Sequence, residues 1–432
     1  MTGTPQPHPT TDPLEVPLER LRRRTSEKWR HYEPDVLPVF VAEMDVDTPA
    51  PVVAAVTAAL AEGDTGYQAG SRYQRAFATF ARERWGWAVD VSRTTTSAGV
   101  MHGALALIGL LTAPGGAVVV NTPVYPPFLD YPRAAGREVV TAPLGTTGRL
   151  DLDVLERAFT VAASRGPAVY LLCSPHNPTG TVHTREELEA VVALARRHGV
   201  TVVADEIHAP LTYVPFTPLL TVTDDAYSLV SASKAWNLAG FSASLVVAGA
   251  AAPRRVTALP PFERGTASHL GVVAHSAALE EGGPWLDDLL ASLVVRRGLL
   301  ADLLAEHLPQ VRWTPPEATY LAWLDCRALL LDEGLPGAEA RAGAGALRPP
   351  PSAGQVPSTN PVPPVAAGTP RSPEPAKVFA SRGRVALSPG RAFDAPGFAR
   401  LNFAASTQVL TEAVRRMAGV VSGGVEAGAG PL

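Results

Sequence analysis

Short apolar runs alternate with amphipathic stretches over the first two thirds of the chain. Four runs rich in β-branched residues have the length of a buried strand, namely residues 117–121, 168–173, 200–204 and 245–248. Helical patterns separate them. The pattern at 50–62 ends at Gly63, and that at 184–198 opens with a capping sequence, Thr-Arg-Glu-Glu. Strands that alternate with helices predict an α/β fold with a mostly parallel sheet covered on both faces.

The pattern changes in the last third of the chain. A long helix is predicted at 285–308, short strands at 320–324 and 384–387, and a closing helix at 407–421. These elements indicate a smaller α+β domain. We expect the following organisation: a disordered N-terminus at 1–13, a segment joining the small domain at 14–47, a large domain at 48–282, the small domain at 283–421 with a disordered insertion rich in Ala, Gly, Pro and Ser at about 333–375, and a disordered tail at 422–432.

Composition narrows the class of protein. The net charge of −4 over 432 residues predicts no general attraction to nucleic acid or to an anionic membrane. The chain has no apolar run of the roughly 18 residues that a membrane span needs. Its first residues lack the pattern of a signal peptide, and Cys173 and Cys326 are too few for a disulfide framework. We therefore expect a cytoplasmic protein.

Lysine is scarce in this chain, which has three lysines beside 34 arginines. Lys28 lies in a charged run that predicts a solvated helix face, and Lys377 follows the proline-rich stretch. Lys234 lies in Ser-Ala-Ser-Lys-Ala-Trp-Asn, a turn of small residues after an apolar run. A desolvated amine loses its proton readily and can attack a carbonyl group. A surface lysine is the commoner situation, so the neighbouring motifs decide between the two interpretations.

Three polar clusters accompany Lys234. Residues 173–180, Cys-Ser-Pro-His-Asn-Pro-Thr-Gly, follow one predicted strand, and residues 205–208, Asp-Glu-Ile-His, follow the next. Small residues at 97–104 open a helix, where free amides can bind an anion. Each signal is weak alone, because Asn-Pro-Thr-Gly is also a common turn. The acidic cluster lacks a third ligand at useful spacing, so we predict no metal site.

Taken together, the four clusters match the needs of pyridoxal 5′-phosphate. Lys234 can form the Schiff base. Asp205 can pair with the pyridine nitrogen, which keeps the ring an electron sink. The Asn177 amide can donate to the ring oxygen O3′, and the helix start can hold the phosphate. Ligands of such sheets bind at the carboxyl ends of the strands, where these residues are predicted to lie.

With these motifs, the chain resembles the class I/II aminotransferase superfamily, which is fold-type I of the pyridoxal-phosphate enzymes. It is most similar to the bacterial cystathionine β-lyase-like branch of carbon–sulfur β-lyases. The resemblance runs from about residue 38 to 417 without the insertion, and the branch rests on residues 40–45, 282–287, 319–325 and 397–404. It implies a large domain with a mostly parallel sheet of the seven-stranded type and a smaller α+β domain.

The resemblance also implies residue roles. Lys234, Asp205 and Tyr125 would be the catalytic residues, with Tyr125 stacked on the cofactor ring. His208 stands where many aminotransferases have a tyrosine that contacts O3′. The phosphate would be held by the amides of Val100 and Met101 and the hydroxyls of Ser231 and Ser233.

The resemblance implies roles for two more residues. Arg400 would bind the carboxylate of the amino-acid substrate, and Tyr67 would reach the phosphate of a neighbouring subunit, which implies a homodimer with shared active sites. The chain departs from the family at Ser242, where many aminotransferases have an arginine that binds phosphate, and at Ala318, where the branch has glycine.

The resemblance implies a β-lyase that cleaves L-cystathionine or cysteine S-conjugates to a thiol, pyruvate and ammonia. An aminotransferase remains the alternative, because it uses the same catalytic residues. A second alternative is a cofactor-binding regulator with weak catalysis. Direct DNA binding is not expected, because no basic helix-turn-helix precedes residue 50.

Overall fold

The computed structural model describes residues 12–329, 331 and 374–423. The predicted disordered segments lie almost entirely outside this part of the chain. The strands in chain order are β1 Leu37–Pro38, β2 Thr94–Ser97, β3 Ala117–Thr122, β4 Glu138–Pro143, β5 Ala168–Cys173, β6 Val200–Asp205, β7 Tyr227–Val230, β8 Ser244–Ala248, β9 Leu321–Asp325, β10 Val385–Ala386, β11 Ser388–Pro389 and β12 Phe398–Asn402. The helices are α1 Leu18–Leu21, α2 Glu27–Arg30, α3 Ala50–Ala61, α4 Arg72–Trp85, α5 Val100–Leu111, α6 Pro127–Ala134, α7 Leu152–Ala163, α8 Arg185–Arg197, α9 His269–Glu281, α10 Gly283–His307, α11 Pro375–Arg382 and α12 Thr407–Val421.

A seven-stranded sheet forms the centre of the molecule, with the strand order β2-β8-β7-β6-β5-β3-β4. The pairs from β4 to β7 are parallel, and β8 runs antiparallel to both of its neighbours, β7 and β2. This arrangement confirms the predicted α/β fold with a mostly parallel sheet.

Alternate side chains of the central strands enter two separate cores. On β5, Tyr170 and Leu172 pack with α7 and α8, whereas Val169 and Leu171 pack with α5 and α6. Both faces are therefore covered, and for that reason the strand sequences are continuously apolar rather than alternating. The sequence signal was weaker at the sheet edges: β2 is Thr-Thr-Thr-Ser and β4 keeps exposed positions.

A second sheet lies in the C-terminal part of the chain. It has the order β11-β12-β9 and is antiparallel, with Arg400 of β12 opposite Trp323 of β9. The N-terminal segment reaches this region, because β1 pairs in parallel with β10, Leu37 opposite Val385. All strands of the central sheet precede residue 282 in the sequence, and all strands of the second sheet follow it. The division of the chain into two domains stays a prediction.

Two local expectations were wrong. Lys28 does not lie on a solvated face: its side chain is 0% exposed, and its Nζ contacts Asp45 Oδ1 at 2.6 Å and donates to Glu43 O at 3.0 Å. A charged run gives no sign of a distant buried partner. Pro375 was placed in the unpacked insertion, yet it is buried and begins α11, where its missing N–H costs no helical hydrogen bond.

Candidate active site

The predicted site residues converge at the carboxyl edge of the central sheet. Asp205 is the last residue of β6, Asn177 lies four residues beyond β5, Lys234 four beyond β7, and Tyr125 three beyond β3. These four strands are consecutive in the sheet, so their ends meet. The turn after Asn177 closes through Gly180 at φ +71°, where a Cβ would collide with Pro316.

Lys234 is a partly buried amine. Its Nζ donates to the carbonyl oxygen of Ala42 at 3.0 Å, a neutral acceptor on the N-terminal segment. Burial and the nearby charge of Arg400 together lower the pKa of Lys234 to about 8, although the carboxylates of Asp205 and Glu43 oppose the shift. An amine with this pKa holds a useful neutral fraction near neutral pH, as a nucleophile or a base requires.

Asp205 is a buried carboxyl with little compensation. Its Oδ1 accepts from the backbone N–H of Ile207 at 3.0 Å. Burial raises the pKa of Asp205 to about 7, while that hydrogen bond and the charge of Lys234 act in the opposite direction. A buried carboxyl of this kind is stabilised as the anion when a cation such as a protonated pyridine nitrogen is placed against it.

Arg400 and Asn177 form a hydrogen-bonded pair beside Lys234. Arg400 Nη1 donates to Asn177 Oδ1 at 3.0 Å, and Nη2 donates to Phe40 O and Ser388 Oγ, both at 3.2 Å. Because a guanidinium can only donate, the contact fixes the orientation of the amide and leaves the Asn177 NH₂ as a donor for a ligand.

The Arg400 guanidinium is buried and incompletely paired. Its Nε has no hydrogen-bond partner among the described residues, and burial lowers the pKa of Arg400 to about 10. The ring of Phe393 lies 4.8 Å from the guanidinium carbon, so one face of the group is covered by a cation–π contact. A buried guanidinium with an unmet donor fits a substrate carboxylate.

Tyr125 and His208 border the same space. The backbone N–H of Tyr125 donates to Asn177 O at 3.1 Å, and burial raises the pKa of its phenol. His208 is buried, and its Nδ1 has no partner among the described residues. Burial, aided by the charges of Lys234 and Arg400, lowers the pKa of His208 to about 3, so the ring is neutral near neutral pH.

The start of α5 is the candidate phosphate site. Gly99 is the N-cap and has no side chain to accept from the first-turn amides, which include Val100 and Met101. The Ser231 hydroxyl, however, donates to Ala243 O at 2.7 Å and accepts from the Ser233 N–H at 3.1 Å. Donation from Ser231 to a phosphate therefore requires rotation of its side chain.

Pyridoxal phosphate fits the residues that the structure brings together. The uncapped amides of α5 match its phosphate, the buried Asp205 its pyridine nitrogen, and the free amide of Asn177 its ring oxygen. Lys234 supplies an amine that is neutral in part. The individual roles stay predictions. Across residues 12–329, 331 and 374–423, no group of three or more His, Cys, Asp or Glu residues could hold a metal ion.

Tyr67 is not part of this cluster. Its side chain is 100% exposed in the protomer, so it does not complete the site of its own chain.

The residues that sequence reasoning missed come from the N-terminal segment and from the residue directly before β9. Ala42 supplies the carbonyl that Lys234 contacts, and the hydroxyl of Tyr320 donates to the same oxygen at 2.9 Å. Both residues lie in motifs, 40–45 and 319–325, that were noted for their resemblance and given no role. A backbone carbonyl leaves no sequence signal, whereas a tyrosine in a noted motif does.

No helix in the described part of the chain is long and apolar enough to cross a membrane.

Comparisons with known proteins cover nearly the whole chain. A family model, "Aminotransferase class I and II", matches residues 41–417. The "Putative cystathionine beta-lyase" of Mycobacterium leprae is 44% identical over 94% of this chain and 98% of its own length. The "Cystathionine beta-lyase" of Corynebacterium glutamicum is 30% identical over 94% of this chain and 99% of its own. A crystal structure of a "putative plp-dependent beta-cystathionase" from Corynebacterium diphtheriae matches with a TM-score of 0.80 and 31% identity, covering 95% of this chain and 99% of that one.

Proposed function

Because the chain belongs to the class I and II aminotransferase family, whose cofactor is pyridoxal phosphate, we propose that it is a carbon–sulfur β-lyase. Its substrates would be L-cystathionine or cysteine S-conjugates, and its products a thiol, pyruvate and ammonia. The observation that carries the proposal is the convergence of the Lys234 amine with Asp205, Asn177 and Arg400 at one sheet edge. The relatives named for cystathionine β-lyase activity favour elimination over other reactions of this family.

The proposed role of each residue follows from its charge. Arg400 binds the α-carboxylate of the substrate and fixes the amino acid in the site, while its contact with Asn177 aligns the amide. Lys234, as a neutral amine, removes the Cα proton. Pyridoxal phosphate, when bound, supplies an electron sink for the pair that this proton leaves behind. Asp205, as an anion, would pair with the pyridine nitrogen and keep that sink effective.

We also propose a homodimer in which Tyr67 of each chain serves the other site. The full exposure of Tyr67 and the exposed apolar residues Val53 and Leu60 of α3 support an interface on this side. A mixed dimer of Tyr67→Phe and Lys234→Ala chains keeps one site with both native residues. Mixing the two variants should therefore restore activity above their sum, and a fully active monomer would contradict the shared site.

One assay separates the lyase from the aminotransferase. The purified protein is incubated with L-cystathionine, and pyruvate and free thiol are measured; a parallel reaction contains an amino acid and a 2-oxo acid acceptor. Equal amounts of pyruvate and thiol, with little new amino acid, are expected. A dominant new amino acid would replace the lyase by the aminotransferase, and Lys234→Ala controls for contaminating activity in both reactions.

A further inference from the structure

Tyr320 is a buried hydroxyl donor at the reactive end of Lys234. Its side chain is 0% exposed, and its hydroxyl donates to Ala42 O at 2.9 Å. The same carbonyl oxygen accepts from Lys234 Nζ at 3.0 Å. A carbonyl oxygen has two lone pairs, so one acceptor holds both donors side by side. The phenol and the amine therefore face the same small volume.

The backbone before Tyr320 is held in an unusual conformation. Thr319 has φ +72°, a region that a β-branched residue rarely adopts. Neighbouring groups enforce it: Thr319 N–H donates to Leu211 O at 2.8 Å, and the Tyr213 hydroxyl donates to Thr319 O. Strained residues of this kind persist where the surroundings over-determine them, and they cluster at functional sites. Here the strained turn sets the direction of the Tyr320 side chain.

The surroundings keep Tyr320 a donor rather than a base. Burial raises the pKa of its phenol well above the usual range, and the charge of Arg400 only partly offsets this. The His208 ring lies edge-on at 6.3 Å between centroids. A neutral phenol in a buried site can stabilise an anion by hydrogen bonding without losing its own proton.

The substrate has three groups to place around Cα. Arg400 takes the carboxylate and Lys234 faces the Cα proton, so the Cβ substituent departs near the remaining donor that borders both. We propose that the Tyr320 hydroxyl donates a hydrogen bond to the sulfur that leaves Cβ, an inference that rests on the proposed β-lyase function. On substrate binding this hydroxyl exchanges Ala42 O for the sulfur.

The step balances within the site. Lys234 takes the Cα proton, the electron pair of that bond becomes the Cα–Cβ double bond, and the Cβ–S pair leaves with the sulfur. The proton held by Lys234 then neutralises the thiolate, and Tyr320 stabilises the negative charge while it develops. A leaving group that is already a weak base gains little from this donor.

Tyr320→Phe in the full-length holoenzyme tests the inference with two leaving groups. L-cystathionine releases an alkyl thiolate, and β-chloro-L-alanine releases chloride. With cystathionine we expect kcat for pyruvate release to fall about 10- to 100-fold, the usual range for losing a hydrogen bond to a charged group. With β-chloro-L-alanine we expect a change of less than about threefold.

Tyr213→Phe is the matched control, because it removes a partly buried tyrosine hydroxyl that contacts the same turn at Thr319 O. Its effect should be the same for both substrates. The thermal unfolding midpoint of the cofactor-free proteins checks that both variants fold.

Each other outcome of the experiment overturns either the inference alone or the proposed function as well. Equal losses of Tyr320→Phe on both substrates would reduce Tyr320 to a structural role and overturn the inference alone, as would no loss on either. Absence of pyruvate from both substrates in the unaltered protein would overturn the proposed function and the inference with it.

Discussion

Lys28 and Lys234 contact the same short segment of the chain, residues 40–45, but they meet different groups there. Lys28 contacts the Asp45 carboxylate at 2.6 Å and the Glu43 carbonyl at 3.0 Å. Lys234 donates to the neutral carbonyl of Ala42. One lysine is compensated by a full opposite charge, and the other by a dipole.

The difference separates a structural cation from a reactive amine. Burial by itself raises the pKa of Asp45, and the charge of Lys28 opposes that shift, so the two ions stabilise each other. Lys234 has no comparable partner at contact distance among its described hydrogen bonds, and its pKa is lowered to about 8. The two amines differ in the group that each contacts, which is a carboxylate for Lys28 and the dipole of a carbonyl for Lys234.

The largest expected effect is the loss of turnover in Lys234→Ala. Removing the amine that is proposed to move the Cα proton should lower kcat by on the order of 10⁴-fold, measured as pyruvate release from cystathionine. The free energy of unfolding should change by about 1 kcal/mol or less. Lys377→Ala, which removes an exposed lysine, is the control. Retained turnover in Lys234→Ala would mean that another group performs the proton transfer.

Lys28→Met should have the opposite profile. It leaves the Asp45 carboxyl buried without its partner, which costs about 3–5 kcal/mol of unfolding free energy in urea denaturation. The loss should shrink as the pH is lowered, because a protonated Asp45 no longer needs a cation.

The double variant Lys28→Met with Asp45→Leu tests the cause of that loss. An apolar pair of similar volume often replaces a buried ion pair without cost, so most of the stability should return. If the double variant is as unstable as Lys28→Met, packing rather than an unpaired charge explains the loss.

Asn237 connects the two lysine environments and should have a smaller effect. Its side chain accepts from Met44 N–H at 2.8 Å and donates to Met44 O at 3.1 Å, and its own φ is +56°. Asn237→Gly, which keeps this backbone conformation, should lose about 1–3 kcal/mol for two hydrogen bonds. Asn237→Ala should be less stable than the glycine variant by about 1 kcal/mol, because alanine is strained at positive φ. Equal stabilities of the two variants would show that the positive φ at this position does not destabilise alanine.

The mildest test compares the lysines by their reactivity. In the cofactor-free protein, acetylation of Lys234 by acetic anhydride should speed up about tenfold from pH 6 to pH 7 and level off above about pH 8, as its amine deprotonates. Lys28 should stay unlabelled because it is buried and ion-paired. Peptide mapping by mass spectrometry measures both rates. Equal labelling would show that the two lysines do not differ in reactivity.

The sequence predicts some parts of this molecule better than others for physical reasons. The strands β3, β5 and β6 are buried on both faces, so their apolar runs are unmistakable, whereas β2 is threonine-rich and was missed. The motif spacing predicted that Lys234 and Asp205 lie at one edge of the sheet. The roles of both residues stay predictions.

What sequence reasoning missed depends on contacts between distant residues. Lys28 was wrongly placed in solvent because Asp45 lies outside its charged run. Ala42 acts through its backbone carbonyl, which any residue possesses. Tyr320 stood in a noted motif, but its role depends on the direction given by the turn at Thr319.

The pairing of β1 with β10 has a consequence for the folding of the protein during its synthesis. Leu37 emerges from the ribosome long before Val385, so at ordinary rates of synthesis the first waits roughly 20 to 70 s for the second. Until then the segment that carries Ala42 has no strand partner, and Arg400 has not yet been made. The large sheet can form during translation, but the candidate site is assembled only after β10 and β12 have also left the ribosome.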